Sequence, residues 1–358
     1  TGVVCAACYN ITSSQSRTAN AVMQTIYQRC HFPATRHYKQ TERSLRMADL
    51  THSIPLSKVS ESGNAALSNV TQLKDDYIEI AKSYSHTMRS YFETYQLFDQ
   101  FCWSYRELIR LAPCDRDDRL SNDFQPGKFS ARTVVNGAFG NFISAARNVI
   151  DKMQAVMEDY YGGRKSKGYL EYWKLPSSWF DQGGVYVFMY ELRNPVQHGQ
   201  TVVSVVPEPG GTRLRFDLNQ IADPHLFNKS KHLTSFIEHT SDAIRGINPN
   251  DPPYLCFRHT NMFFYKLVIE LYAHFLKCTE PHIRSARSEL NAMLSKHEEF
   301  VGWNKQVKFV VYPEGDEAHV LNGLEVDPVK EIRKRSKEVN HLLSNAEKML
   351  KSEKRRRP

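Results

Sequence analysis

With 358 residues, 41% of them apolar and 24% charged, the chain has material for a sizeable core and about two domains. A mean hydropathy of −0.52, with no run near the roughly 18 apolar residues that cross a bilayer, argues against a membrane span. The formal net charge of +8 is concentrated, because residues 330–358 hold 11 Lys and Arg against 4 Glu, so a polyanionic partner is suggested only at that end.

In chain order, the first 60 residues are rich in Ser, Thr and Arg and give only a weak helical signal around Ala21 to Cys30. From about Thr71 to Leu111, apolar residues such as Tyr77, Tyr84, Met88, Tyr91, Phe98, Phe101, Tyr105 and Leu108 keep a three-or-four spacing, which predicts a long core helix. Its aromatic stripe reads as packing rather than as a platform for stacked bases. The turn-rich stretch Pro113 to Ser130 separates it from a second predicted helix, about Val134 to Tyr161, which Gly162 and Gly163 close. A linker rich in Gly, Lys, Tyr and Trp follows, and then VYVFMYELRNPVQHG, where Val185, Phe188, Met189, Leu192 and Val196 mark one buried face of a third helix. TVVSVV, PEPGG and TRLRFDL read as strand, turn and strand. Helices are expected at about Pro224 to Ile244, Leu255 to Lys277 and Pro281 to Glu299, and a second hairpin in VKFVVYPEGDEAHVLNGLEV. In the tail, Ile332, Val339, Leu342, Ala346 and Met349 predict a basic amphipathic helix ending in KRRRP. Its Arg333, Lys334, Arg335, Lys337, Arg355, Arg356 and Arg357 are the candidate phosphate-gripping residues, set against the plainer reading of a solvated surface helix.

The chemistry concentrates in ELRNPVQHG, residues 191–199. An Arg followed by His after four to six residues is expected about three times by chance in this composition. Three occur: Arg46 with His52, Arg193 with His198, and Arg335 with His341. Arg193 alone ends an apolar helix and has an Asn beside it. Asn194 and His198 are four apart and share a helical face, so Asn194 could orient the imidazole; Arg193 lies on the neighbouring flank and needs its length, or a bend, to converge. Pro195 supplies a bend, since it removes an N–H and crowds the carbonyl of Glu191. The plainer alternative is that Arg193 and His198 cap carbonyls at a helix end.

Arg193-Asn194-Pro195-Val196-Gln197-His198 resembles the R-N-x-x-x-H signature of HEPN-domain ribonucleases. The preceding Phe142-Ile143-Ser144-Ala145-Ala146-Arg147-Asn148-Val149 resembles the second core helix of some uncharacterised bacterial members, and the likeness covers roughly Thr71 to Gly199. The resemblance implies a mostly α fold: a HEPN-like antiparallel helical bundle, here with β-hairpin insertions and extra C-terminal helices. Residues 1–65 stay unassigned, 66–205 form the HEPN-like core, 206–326 a helical and hairpin extension, and 327–358 the basic tail. It also implies a metal-independent endoribonuclease, with Arg193, Asn194 and His198 as catalytic residues and RNA, tRNA among the candidates, as substrate. A homodimer pairing two motifs in one cleft, a role as toxin or antiviral effector, and an antitoxin or sensor partner follow from the same likeness. The competing class is a catalytically silent helical module that binds RNA or protein.

The side chains suit that chemistry: imidazole, with a reference pKa near 6.5, can take the 2′-hydroxyl proton or return one to the leaving 5′-oxygen, and guanidinium can meet charge on the phosphoryl oxygens. No cofactor or metal is expected. Cys5, Cys8, Cys30 and His31 do not match zinc-finger spacing, and His232 with His239 lack carboxylate support. No phosphate-binding glycine loop or nucleophile elbow occurs. Seven cysteines, an odd number in a long chain, fit reduced thiols, and TGVVCAACYN lacks the features of a secretory signal, so a cytoplasmic protein without membrane contact is expected.

Overall fold

A computed structural model describes residues 58–59, 65–66, 75–112, 119–121, 127–181, 184–209, 211–223, 231–247, 253–296, 309–314, 317–322 and 327–355. They are mostly helical, as expected. Contacts divide the chain into two compact units. The first comprises the described residues of Thr94–Phe275 and Val339–Pro358, and the second those of Tyr27–Glu93 and Leu276–Glu338.

In the first unit the aromatic stripe of α1 (Asp75–Leu111) is core. Phe98, Phe101, Tyr105 and Leu108 are buried, Phe98 stacks on Tyr272, and Tyr105 stacks on Tyr265. The second helix, α2 (Ala131–Tyr160), begins where the Ser130 hydroxyl accepts the Thr133 N–H, a side-chain cap for one orphan donor. Its apolar stripe, Phe139, Phe142, Ile143, Ala146, Val149, Ile150, Met153, Val156 and Met157, is buried as its period requires. It ends as predicted: Gly162 and Gly163 take positive φ, and their N–H groups reach back to the carbonyls of Asp159 and Glu158.

The stretch expected to be a linker is instead α3 (Lys167–Asp181), which carries Pro176 inside it and buries Tyr169, Tyr172 and Pro176. Gly168, within that stretch, answers a packing need, since a Cβ there would collide with the Tyr161 ring. Next come α4 (Val185–Glu191) and α5 (Arg193–Gln197), separated by Leu192. The predicted hairpin is present as β3 (Ser204–Glu208) and β4 (Gly211–Asp217), in register Ser204 to Arg215 and Glu208 to Gly211. A third strand, β5 (Tyr254–Cys256), pairs antiparallel with β4 and was not anticipated. Leu214 and Phe216 of β4 point to the core, where the Phe216 ring meets Phe139, Phe188 and Phe257. The Asp217 carboxylate caps the short α6 (Leu218–Ala222), accepting from the N–H groups of Asn219 and Gln220. The expected helix at 224–244 is described from Lys231, as α7 (Lys231–Ile247).

The two helices expected at 255–299 are one, α8 (Phe257–Ser295), which runs on through Pro281. Proline there leaves the Lys277 carbonyl without its helical partner; Lys277 is exposed, so water can serve it. In the second unit, Ile283, Ala286, Leu290 and Met293 of α8 are buried, as are Tyr84, Met88 and Tyr91 of α1. The Arg287 guanidinium lies 6.0 Å over the Tyr84 ring. The last helix, α9 (Pro328–Arg355), starts with Pro at its first position and Asp327 accepting from the N–H groups of Val329 and Lys330. Two hairpins complete the unit: β1 (Lys58–Val59) with β2 (Ala65–Ala66), and the predicted one, β6 (Phe309–Glu314) with β7 (Glu317–Asn322). No described helix is long and apolar enough to cross a membrane.

Candidate active site

The opening of the motif is set by a helix with no free side. All five residues from Val185 to Met189 are buried, a pattern that only a helix enclosed by its neighbours can bear. Leu192 keeps right-handed helical dihedrals (φ −64°, ψ −16°) and is fully buried, so the chain enters α5 without turning away. The break falls where Pro195 dictates, because its missing N–H leaves the Glu191 carbonyl without an i+4 donor. Pro195 itself is buried. One turn on, Val196 packs against α2 at Gly140, where a Cβ would lie 3.1 Å from a Val196 methyl.

The end of α5 is closed by main chain alone. Gly199, at φ +78°, donates its N–H to the Val196 carbonyl at 3.0 Å, and Gln200 donates to the Pro195 carbonyl at 3.0 Å. This paired closure uses a left-handed residue that glycine adopts freely, and it satisfies the carbonyls that a capping side chain would otherwise serve.

The chain beyond Gly199 is held by a residue from α2. The Asn136 carboxamide oxygen accepts the N–H groups of Val202 (2.9 Å) and Val203 (3.0 Å), and its nitrogen donates to the Val203 carbonyl at 2.9 Å and the Arg132 carbonyl at 3.0 Å. Arg132 donates to the Thr201 hydroxyl at 2.7 Å, and Gln220 to the Thr201 carbonyl at 3.3 Å. Residues 192–203 are thus anchored on both sides of the motif, while Asn194, Gln197, His198 and Gly199 face solvent.

Within this frame the predicted residues fare differently. Arg193 is half-buried, and the side chain that meets it is Gln197, one turn on. With its carboxamide oxygen turned inward, the orientation that sets acceptor against donors, Gln197 accepts from the Arg193 Nε and Nη2, each at 3.2 Å. Sequence reading passed over Gln197, although its i+4 spacing from Arg193 was visible. The expected help from Asn194 takes another form: its carbonyl accepts the His198 N–H at 3.1 Å, and among the described residues no side-chain hydrogen bond joins the pair. His198 is exposed, and its imidazole makes no hydrogen bond among the described residues. Before the motif, the Arg147 guanidinium sits 4.0 Å over the Tyr190 ring and donates to Asp151 at 2.9 Å, tying α2 to α4.

The tail is a packed helix rather than a loose arm. Ile332, Val339 and Ala346 of the predicted stripe are buried, and Leu342 and Met349 half-buried. Arg335, expected to grip phosphate, is only 5% exposed and donates to Glu338 at 3.3 Å; it lies on the apolar stripe, three residues from Ile332 and four from Val339, which turns it inward. Arg333 donates to Glu280 at 3.0 Å, and Lys334 lies 3.9 Å from Glu331. Lys337 is exposed, Arg355 is the last residue of α9, and Arg356 and Arg357 fall outside the described residues. Within the second unit, Glu280 also accepts from Arg284; burial raises its pKa, but the hydrogen bonds from Arg284 and Arg333 outweigh that and hold the carboxyl below its ordinary value.

Other candidates do not assemble. Cys5, Cys8, Cys30, His31, Arg46 and His52 lie outside the described residues. His232 presents its ring to Phe180, and the His239 ring bonds within its own turn to Ser235. Among the described residues no group of three His, Cys, Asp or Glu is placed to hold a metal ion. Comparison of the chain with protein-family models, curated proteins and solved structures finds no match.

Proposed function

We propose that this chain is a HEPN-type endoribonuclease that cuts RNA at the helix end displaying Arg193 and His198. The observation that supports the reading is the His198 side chain: it is exposed, carries no hydrogen bond among the described residues, and sits where main-chain N–H groups already satisfy the helix carbonyls. A capping histidine would have a carbonyl to serve. This one is left available for proton transfer.

In the proposed reaction, imidazole takes the proton of a 2′-hydroxyl as that oxygen attacks the adjacent phosphorus, and a protonated imidazole returns a proton to the departing 5′-oxygen. The bond to the 5′-oxygen breaks, leaving a 2′,3′-cyclic phosphate and a 5′-hydroxyl. Negative charge gathers on the phosphoryl oxygens, where the ionised Arg193 guanidinium can donate hydrogen bonds. No metal is needed for either proton transfer. One His198 cannot be base and acid at the same instant, so two protomers sharing a cleft would supply one imidazole each, and two-fold dimers are the commonest assembly.

The test is incubation of purified protein with total RNA in EDTA, followed by analysis of fragment ends. Fragments with cyclic phosphate, lost in His198→Ala, are the expected result. Intact RNA with a band shift would favour a catalytically silent binding module instead. A 41.4 kDa monomer in light scattering that still cleaves RNA would overturn the shared cleft.

A further inference from the structure

We infer that Gln197 is a positioning residue: it fixes the Arg193 guanidinium for an anion without neutralising its charge. The inference deepens the proposal above and rests on the anion-stabilising role given there to Arg193.

Gln197 lies four residues after Arg193, the spacing at which helical side chains meet. Its carboxamide oxygen takes the Nε and one Nη2 hydrogen of the guanidinium. A guanidinium has five N–H donors in a rigid fork, so this leaves its end edge, Nη1 with the second Nη2 hydrogen, unused by Gln197 and able to meet a phosphate in a bidentate contact. A long side chain held in this way loses less freedom when an anion arrives, the general benefit of a preorganised contact. Among the described residues no carboxylate lies within ion-pair distance of Arg193, and Glu191, two residues away, projects from a different face of the helix.

The choice of amide over acid is the informative part. Glutamate at the same position would accept the same two hydrogen bonds and add an i,i+4 ion pair, a common helix stabiliser. It would also cancel the charge that a phosphoryl oxygen is meant to feel. A residue present only for stability could be either. One that must hold a cation and leave its charge uncompensated has to be neutral.

Three measurements on the full chain test this: kcat and KM on a short single-stranded RNA, hydrogen exchange at the Arg193 Nε by NMR, and the Kd of a 2′-O-methyl oligonucleotide that cannot be cleaved. Gln197→Ala should lower kcat about tenfold with KM changed less than about twofold, and should speed Nε exchange, since the loss falls on transition-state contact. Gln197→Glu should keep Nε protected and Tm within about a degree of the parent, yet lower kcat about a hundredfold, because the held charge is now compensated. Cleavage by Gln197→Glu at the parent rate, or an unprotected Arg193 Nε in the parent, overturns the inference. If the parent cleaves no RNA, the ribonuclease reading fails separately and the inert oligonucleotide decides. Binding weakened about tenfold in Gln197→Glu, with Nε protected, then supports the positioning role, and equal binding overturns it.

Discussion

Asn136→Ala should cost more stability than truncating the exposed Asn194, Gln197 or His198 of the motif, although Asn136 lies more than fifty residues before it. Truncation at Cβ removes the acceptor for the N–H groups of Val202 and Val203 and the donor for the Val203 carbonyl, and both valines are essentially inaccessible to water. Each buried main-chain group left without a partner costs about 1–3 kcal/mol. Relaxation and an entering water would recover part of that sum, so the expected loss is about 3 kcal/mol. Asn136→Asp keeps the acceptor and loses the donor, and should fall between parent and alanine variant. The assay is urea unfolding followed by circular dichroism, with amide exchange at Val202 and Val203 as the local probe. The damage should reach function too, because the segment after Gly199 would no longer be tied to α2. An unchanged urea midpoint with Val202 and Val203 still protected would refute the clamp.

His198→Ala and Arg193→Ala should each lower RNA cleavage at least about a hundredfold, with stability within about 0.5 kcal/mol for the exposed His198; full activity with a melting point several degrees lower would make that histidine structural after all. Arg46→Ala and His52→Ala, from a chance match, should leave cleavage unchanged in the same assay. Gly199→Ala meets no steric neighbour but must adopt φ +78°, so it should lose about 1–2 kcal/mol by thermal unfolding through backbone strain alone. For Glu280, a folded-state pKa below the unfolded value gives stability that is complete above the unfolded pKa and lost as pH falls through the folded one. Glu280→Gln should therefore melt lower than the parent at neutral pH, and the difference should close below about pH 4. Deleting residues 327–358 would strip buried Ile332, Val339 and Ala346 as well as charge, so the tail is better probed by Lys334→Glu with Lys337→Glu; if these touch RNA, the salt dependence of binding should flatten by about 0.7 per lost phosphate contact.

Strong periodicity carried far in this chain. The three-and-four spacing of Tyr84, Phe98, Phe101 and Tyr105 located α1 and its buried face, and the double glycine after Tyr161 located the end of α2, because each signal comes from residues close in sequence. Misreadings came where tertiary packing overrode a local breaker. A composition rich in Gly, Lys, Tyr and Trp makes α3 look like a linker, yet its Pro176 is buried and its Gly168 leaves room for the Tyr161 ring. Pro281 divided α8 on paper and not in the fold. Strand β5, three residues long, is too short to leave a period and exists because β4 offers it a free edge. At the site, the sequence displayed Arg193 and His198 but pointed to Asn194 as their helper. The helpers in the structure are Gln197, whose meaning depends on where its amide points, and Asn136, whose partners are 66 and 67 residues away. Nothing local could have announced the second.

The enclosed helix α4 makes the site intolerant of a change in length. Each residue of a helix advances it by about 1.5 Å and turns it by about 100°. Val185 to Met189 are gripped from every side, so α4 cannot swivel to absorb a shift. Deleting or inserting one residue between Met189 and Arg193 would therefore swing Arg193, Gln197 and His198 a quarter-turn or more away from their present bearings, even if every remaining side chain were kept. Conservative exchanges such as Met189→Leu should be absorbed by neighbouring rotamers at less than about 1.5 kcal/mol. In the interval from Val185 to His198, then, the number of residues should be under tighter constraint than several of their identities, and a family descended from this chain should show substitutions there long before it shows a gap.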